Sequence, residues 1–133
     1  VAVPASATIP DGAAAPFVGQ HGMHVIGPNL LQLLDNRGQP GGTRAERYLV
    51  DEAGRTAQLS ASYSSEPPVT AILGGSTQAL AGGRALVAYG DGDRVQEYDA
   101  AGNVVWEIHG NPGYVFRAQR IASLYRPGAV MSR

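Results

Sequence analysis

Short apolar runs, each closed by a turn rich in Gly, Asn or Asp, recur along this chain about every fifty residues. The stretch from His24 to Leu34 resembles that from Gln78 to Ala88, and the stretch from Glu46 to Gly54 resembles that from Gln96 to Gly102. Nine segments read as strands: Met23–Ile26, Leu30–Asp35, Ala45–Val50, Thr56–Tyr63, Ser76–Leu80, Arg84–Tyr89, Arg94–Tyr98, Asn103–His109 and Tyr114–Ile121. Their connectors are Gly27-Pro28-Asn29, Asp51 to Gly54, Ala81-Gly82-Gly83, Gly90 to Asp93 and Asp99 to Gly102. In such turns Gly supplies the positive φ that tight hairpins require and Asp caps the turn backbone. Alternation is clear where Val95, Glu97 and Asp99 stand against Gln96 and Tyr98. The one helical feature is a single turn at Ala118–Tyr125.

Four short strands repeating at this period are the signature of propeller blades, whereas a sandwich has no reason to repeat there. Composition agrees: with 18 Gly and 9 Pro in 133 residues, a helical bundle is excluded, since each costs a helix interior roughly 1 and 3 kcal/mol respectively. At about fifty residues a blade, the chain holds two blades plus flanking strands, and a closed propeller takes at least four. An open pair leaves apolar faces and strand edges bare. The expected fold is therefore all-β, a segment of a β-propeller of about two four-stranded blades plus flanking strands, completed by another chain. Residues 1–16, rich in Ala and Pro, read as an extended arm, 17–125 as blades and 126–133 as a tail. Tyr98 and Trp106 are expected in the blade core.

Several function classes fall away on composition. The net charge is −1 and no basic stripe is visible, so nucleic acid is not an expected partner. No apolar run reaches the ~18 residues that span a bilayer. Without Cys, thiolate catalysis and Cys-ligated zinc are out, and three His without paired spacing make no zinc site. Asp91 and Asp93 suggest a calcium loop, but two carboxylates are thin for a six- to eight-oxygen shell, and an ordinary turn is the plainer reading. No cofactor is expected. All ten bases are Arg, a residue whose planar fork suits sulfate or phosphate oxyanions. The start at Val1, without an initiator Met or a basic n-region, reads as a chain processed from a longer precursor.

Five segments in order carry a family resemblance: Phe17 to His24, Leu33 to Gly38, Thr43 to Tyr48, Tyr89 to Glu107 and Phe116 to Arg120. Together they resemble the C-terminal half of bacterial arylsulfotransferase-type propellers, over roughly residues 17–125. The resemblance implies a six-bladed, secreted or periplasmic protein. It implies sulfuryl transfer from a phenolic sulfate to another phenol through a sulfohistidine. The family's Gln-His step falls on Gln20-His21, its Asp-Asn turn on Asp35-Asn36, its Ser/Thr-Arg step on Thr43-Arg44 and its Tyr-Arg-Ala step on Phe116-Arg117-Ala118. It thus implies His21 and Arg44 as catalytic residues, with Arg117, Asn36 and Tyr114 binding the substrate. The chemistry suits these types: sulfuryl transfer builds negative charge on three oxygens and on the leaving phenolate, where a guanidinium fork and an imidazole donor act. His21 would protonate the leaving phenolate and Arg44 would clamp the sulfuryl group. The family's nucleophilic His falls at Val115, which cannot be sulfated, so the covalent carrier is missing unless His109 or another chain supplies it.

Structural roles compete for the same residues. His21 could simply bond backbone at the start of a strand, His24 alternates with the Val25–Ile26 run and reads as structural, and Arg44 and Arg117 could tie blades together through Glu46 or Glu97. Two functions follow: an enzyme acting on an aromatic or anionic small molecule, or a non-catalytic propeller subunit that binds such a molecule or is purely structural.

Overall fold

The computed structural model describes residues 19–36, 42–110 and 113–122. Eight strands form two antiparallel meanders: β1 (Gln20–Gly27), β2 (Leu30–Asp35), β3 (Arg44–Asp51) and β4 (Thr56–Ser64) in the first sheet, then β5 (Ser76–Ala79), β6 (Ala85–Ala88), β7 (Arg94–Tyr98) and β8 (Val104–His109) in the second. Both sheets run in sequence order, which is the arrangement of two consecutive propeller blades. The fold is all-β, as the repeat requires. No helix among the described residues is long and apolar enough to cross a membrane.

The turns form as their residues dictate. Asn29 takes a φ of 56° between β1 and β2, and its carbonyl accepts from the Val50 amide at 2.7 Å. The third hairpin of each repeat is closed by the same device. The Asp51 carboxylate accepts from the Gly54 amide at 2.9 Å, and the Asp99 carboxylate from the Ala101 and Asn103 amides at 2.9 and 2.8 Å. Ala81–Gly83 makes a 3-10 turn between β5 and β6.

The sheets pack face to face around Leu34, Ala45 and Tyr63 from the first and Ala85, Val87, Tyr89 and Tyr98 from the second. Polar groups cross this interface through hydrogen bonds. Gln32 donates to the Thr77 hydroxyl at 2.6 Å, and the Arg47 guanidinium donates to the carbonyls of Gly83 and Arg84 at 2.9 and 2.7 Å. Arg94 donates to the Ser65 hydroxyl at 2.8 Å. β1 and β5, the first strand of each meander, meet along one edge, where Gly22 lies against Ser76.

Four expectations need correction. β1 begins at Gln20 rather than Met23, because a bulge between His21 and His24, with Gly22 at φ 59°, breaks the alternation that marks a strand. Residues 114–121 do not form a strand. Among the described residues their one ladder contact is a bridge from Val115 to Gly90, and no further strand there lies alongside to pair with them. Trp106 is not core: it stands 43% exposed on β8, every residue of which is exposed. Tyr98, by contrast, is fully buried. Residues 118–122 show no helical turn. The arm, the tail and residues 123–125 lie outside the described residues.

Candidate functional site

The strand ends named by the motifs lie together at one end of the sheets. The register aligns Gln20 with Asp35, Asp35 with Arg44, and Arg44 with Ser64. This end grips the crossing segment that leads into β5. The Thr43 amide donates to the Val69 carbonyl at 2.6 Å, the Ala71 amide to the Thr43 hydroxyl at 2.8 Å, and the Asn36 side-chain amide to the Gly74 carbonyl at 3.0 Å. Asp91 serves the same segment, accepting from the Ile72 and Leu73 amides at 2.9 and 3.0 Å, a long-range tie rather than a cap on its own turn.

His21 and Arg44 do not share a face of the sheet. His21 pairs with Leu34, and Leu34 with Ala45, so His21 lies on the face that meets the second sheet. Arg44, the neighbour of Ala45, points to the other face, where it forms an ion pair with the buried Glu46. The Tyr48 hydroxyl also donates to Glu46, at 2.6 Å. Burial, and after it this bond to Glu46, raises the Tyr48 pKa well above its ordinary value. Arg44 thus carries a structural tie of the kind its sequence allowed, within its own strand. Asn36 is buried and spends its amide on Gly74, while its carbonyl oxygen has no hydrogen-bond partner among the described residues. Tyr114 is exposed, its ring 6.2 Å from that of Phe116, with its hydroxyl close over Gly74.

Arg117 reaches a different place. With Met23, His24, Thr77, Gln78 and Gln119 it lines a cavity of about 330 Å³ between β1, β5 and the segment 113–122. That segment is laced to β5 by side chains. The Ala118 amide donates to the Ser76 hydroxyl at 3.2 Å, the Arg120 amide to Gln78 at 2.7 Å, and Gln78 donates back to the Arg120 carbonyl at 3.2 Å. Glu97 is engaged by Arg84 and, at 2.9 Å, by Arg120, not by Arg117. Among the described residues Arg117 has no carboxylate partner. An unneutralised guanidinium at a cavity beside an imidazole and two carboxamides is an arrangement that takes an anion.

His24, read from the sequence as structural, also lines this cavity. Its Nδ1 lies 2.8 Å from the Gly22 carbonyl, across the bulge. The signal was a His-Gly-x-His spacing, and the bulge that turns it toward the cavity is invisible to a strict period of two. His109 lies elsewhere, bonded to Glu107 on the edge strand, and does not line the cavity. Val115 donates its amide to the Gly90 carbonyl at 2.9 Å and packs its side chain against Leu86, Ala88 and Val95.

Comparison with curated proteins and with solved structures found no match. The arylsulfotransferase (ASST) family profile matches residues 7–111, ending before the segment that carries Arg117. That match spans most of the chain, and on it the chain belongs to the arylsulfotransferase family.

Proposed function

We propose that this chain forms part of an arylsulfotransferase-like propeller enzyme that moves a sulfuryl group between phenols. The carrying observation is Arg117, free of any carboxylate among the described residues, at a cavity of about 330 Å³ in a chain of this family. In this reading Arg117 holds the sulfate oxygens and Gln78 and Gln119 offer further donors. Tyr114 and Asn36 border the substrate path, Arg44 braces this end of the sheets through its ion pair with Glu46, and His21 returns a proton to the leaving phenolate. No cofactor is called on. Secretion or a periplasmic location fits the family resemblance.

The reading includes a partner polypeptide. Residues 114–121 have strand-like sequence but no paired strand, and beside them a cleft of about 180 Å³ between Leu86, Val95, Trp106 and Ile108 is apolar and open. Further strands from another polypeptide, a cleaved precursor half or a second subunit, would pair with 114–121 and cover Trp106.

One observation favours a second reading, a non-catalytic binding or structural subunit: Val115, at the position of the family's nucleophile, is packed into an apolar cluster. The test is to incubate the intact assembly with a nitrophenyl sulfate and a phenol acceptor. The enzyme reading expects nitrophenol release that is lost in His21→Ala and Arg117→Ala. Absence of turnover, with ligand binding unchanged in both variants, supports the binding subunit.

A further inference from the structure

We infer that Gln78 is the positioning residue that holds Arg117 at the cavity, an assignment that rests on the sulfuryl-transfer reading above. Arg117 stands on a segment with little backbone support: among the described residues its one ladder contact is the bridge from Val115 to Gly90. Past Val115 the ties come from side chains of the second sheet, and Gln78 makes the fullest of them. Its oxygen accepts from the Arg120 amide at 2.7 Å and its nitrogen donates to the Arg120 carbonyl at 3.2 Å. One carboxamide thus meets the backbone donor and acceptor of a single residue, the pairing that a neighbouring strand would otherwise supply. The reverse orientation would set donor against donor, so the backbone of Arg120 fixes which way the carboxamide faces.

Arg117 lies between these two anchors, Val115 on one side and Arg120 on the other. Ser76 adds a single bond, from the Ala118 amide at 3.2 Å, and the ion pair of Arg120 with Glu97 engages the side chain rather than the backbone. Gln78 is half-buried and lines the cavity together with Arg117, so the tie is made at the cavity itself.

The repeat shows what the tie requires. The stretch from His24 to Leu34 matches that from Gln78 to Ala88, which puts His24 at the place of Gln78 in the first sheet. The registers agree, with His24 opposite Gln32 and Gln78 opposite Leu86. The His24 ring turns back onto its own strand, with Nδ1 2.8 Å from the Gly22 carbonyl across the bulge. β5 pairs with β6 without a register shift, and from it Gln78 reaches forward to the next segment. An arginine on such a segment keeps its place only while the segment does, and a misplacement of about 1 Å can cost on the order of 10²-fold in rate. Gln78 therefore acts through Arg117, by setting where the guanidinium meets the sulfuryl oxygens.

The test is a double-mutant cycle on the native assembly, with kcat/KM for 4-nitrophenyl sulfate and a phenol acceptor measured in wild type, Gln78→Met, Arg117→Ala and the double variant. Amide hydrogen exchange is followed alongside. The account expects Gln78→Met to lose about 10-fold or more by itself but under about 2-fold once Arg117 is gone. It also expects faster exchange at the Arg120 amide, with the sheets unchanged. Losses that multiply make Gln78 a separate donor to the sulfate; they overturn the positioning role and leave sulfuryl transfer standing. So does activity of Gln78→Met within about 2-fold of wild type, an unchanged Arg120 amide, or exchange that rises throughout both sheets. A wild-type assembly without turnover, or Arg117→Ala at the wild-type rate, overturns the sulfuryl-transfer reading and the assignment with it, whatever the exchange shows.

Discussion

The guanidinium of Arg47 reaches from the first sheet to the carbonyl of Gly83 in the second, 2.9 Å away, and shares that carbonyl with the Tyr63 hydroxyl at 2.7 Å. Arg47 also lies 5.0 Å from the centre of the Tyr63 ring and donates to Gln32 at 2.6 Å. One side chain thus satisfies two carbonyls of the 3-10 turn and one carboxamide inside the interface between the sheets. Arg47→Met keeps the apolar stem but leaves the buried Gln32 oxygen bare and takes a charged donor from the Gly83 and Arg84 carbonyls, which keep the Tyr63 hydroxyl and the Leu80 amide, at a combined cost of up to about 3 kcal/mol. Chemical denaturation should show a loss of about 3 kcal/mol. A loss under about 0.5 kcal/mol would remove Arg47 as the tie between the sheets.

Glycine is obligatory at position 90. Its φ is 58°, and a Cβ there would stand 2.0 Å from the Leu73 carbonyl oxygen, a backbone atom that cannot swing away. Gly90→Ala should cost more than about 3 kcal/mol, combining left-handed strain with displaced backbone. Gly82→Ala is the contrast: φ is 70°, but nothing lies within 4 Å of its Cβ, so only the strain of about 1 kcal/mol applies. Melting temperatures of the two variants should separate clearly.

Alkaline pH should loosen the interface through its tyrosines. The Tyr89 and Tyr98 hydroxyls are 2.5 Å apart, and Tyr98 donates on to Gln96. Burial is the main cause that pushes Tyr98 up to about 12, and it raises Tyr89 too. A folded-state pKa above the unfolded one means that the stabilisation is complete below the ordinary tyrosine value and is lost as pH rises through the folded one. Unfolding free energy should therefore fall between about pH 10 and pH 12. Tyr98→Phe should be less stable at neutral pH by about 1–3 kcal/mol, through the stranded Gln96 and Tyr89 groups. Its alkaline slope should be shallower, with the remainder due to Tyr89. An unchanged slope would contradict this.

The apolar face of β8 gives a prediction about mass. With Trp106 and Ile108 open beside the unpaired segment 114–121, the native particle should exceed the 13.8 kDa of a single chain, and Trp106→Glu should shift it toward that value. A wild-type particle at single-chain mass would contradict the proposed partner.

Much of the fold was legible before any coordinates. The hairpins announced themselves through Asp51 and Gly54, then again through Asp99 and Gly102, because side-chain caps and positive φ are local properties. Tyr98 read correctly as blade core. What escaped was non-local. The bulge at Gly22 hid both the start of β1 and the turn of His24 toward the cavity. Residues 114–121 have the composition of a strand, but a strand exists only with a neighbour, and no composition reports that. Trp106 looked like core because its residue type says so, while its face of β8 stands exposed. Of the site, Arg117 was legible as a candidate, whereas the Arg44 pairing with Glu46 depended on which face each residue takes.

Arg117 and Arg120 stand three residues apart on one segment, and only Arg120 meets a carboxylate among the described residues. The most direct measurement is kcat/KM for 4-nitrophenyl sulfate with a phenol acceptor, taken on the native assembly of wild type, Arg117→Ala and Arg120→Ala. If the cavity handles the sulfuryl group, Arg117→Ala loses about 10²-fold or more, while Arg120→Ala, which loosens only the tie to Glu97, stays within about 10-fold of wild type. Equal losses in the two variants, or none in Arg117→Ala, would contradict it.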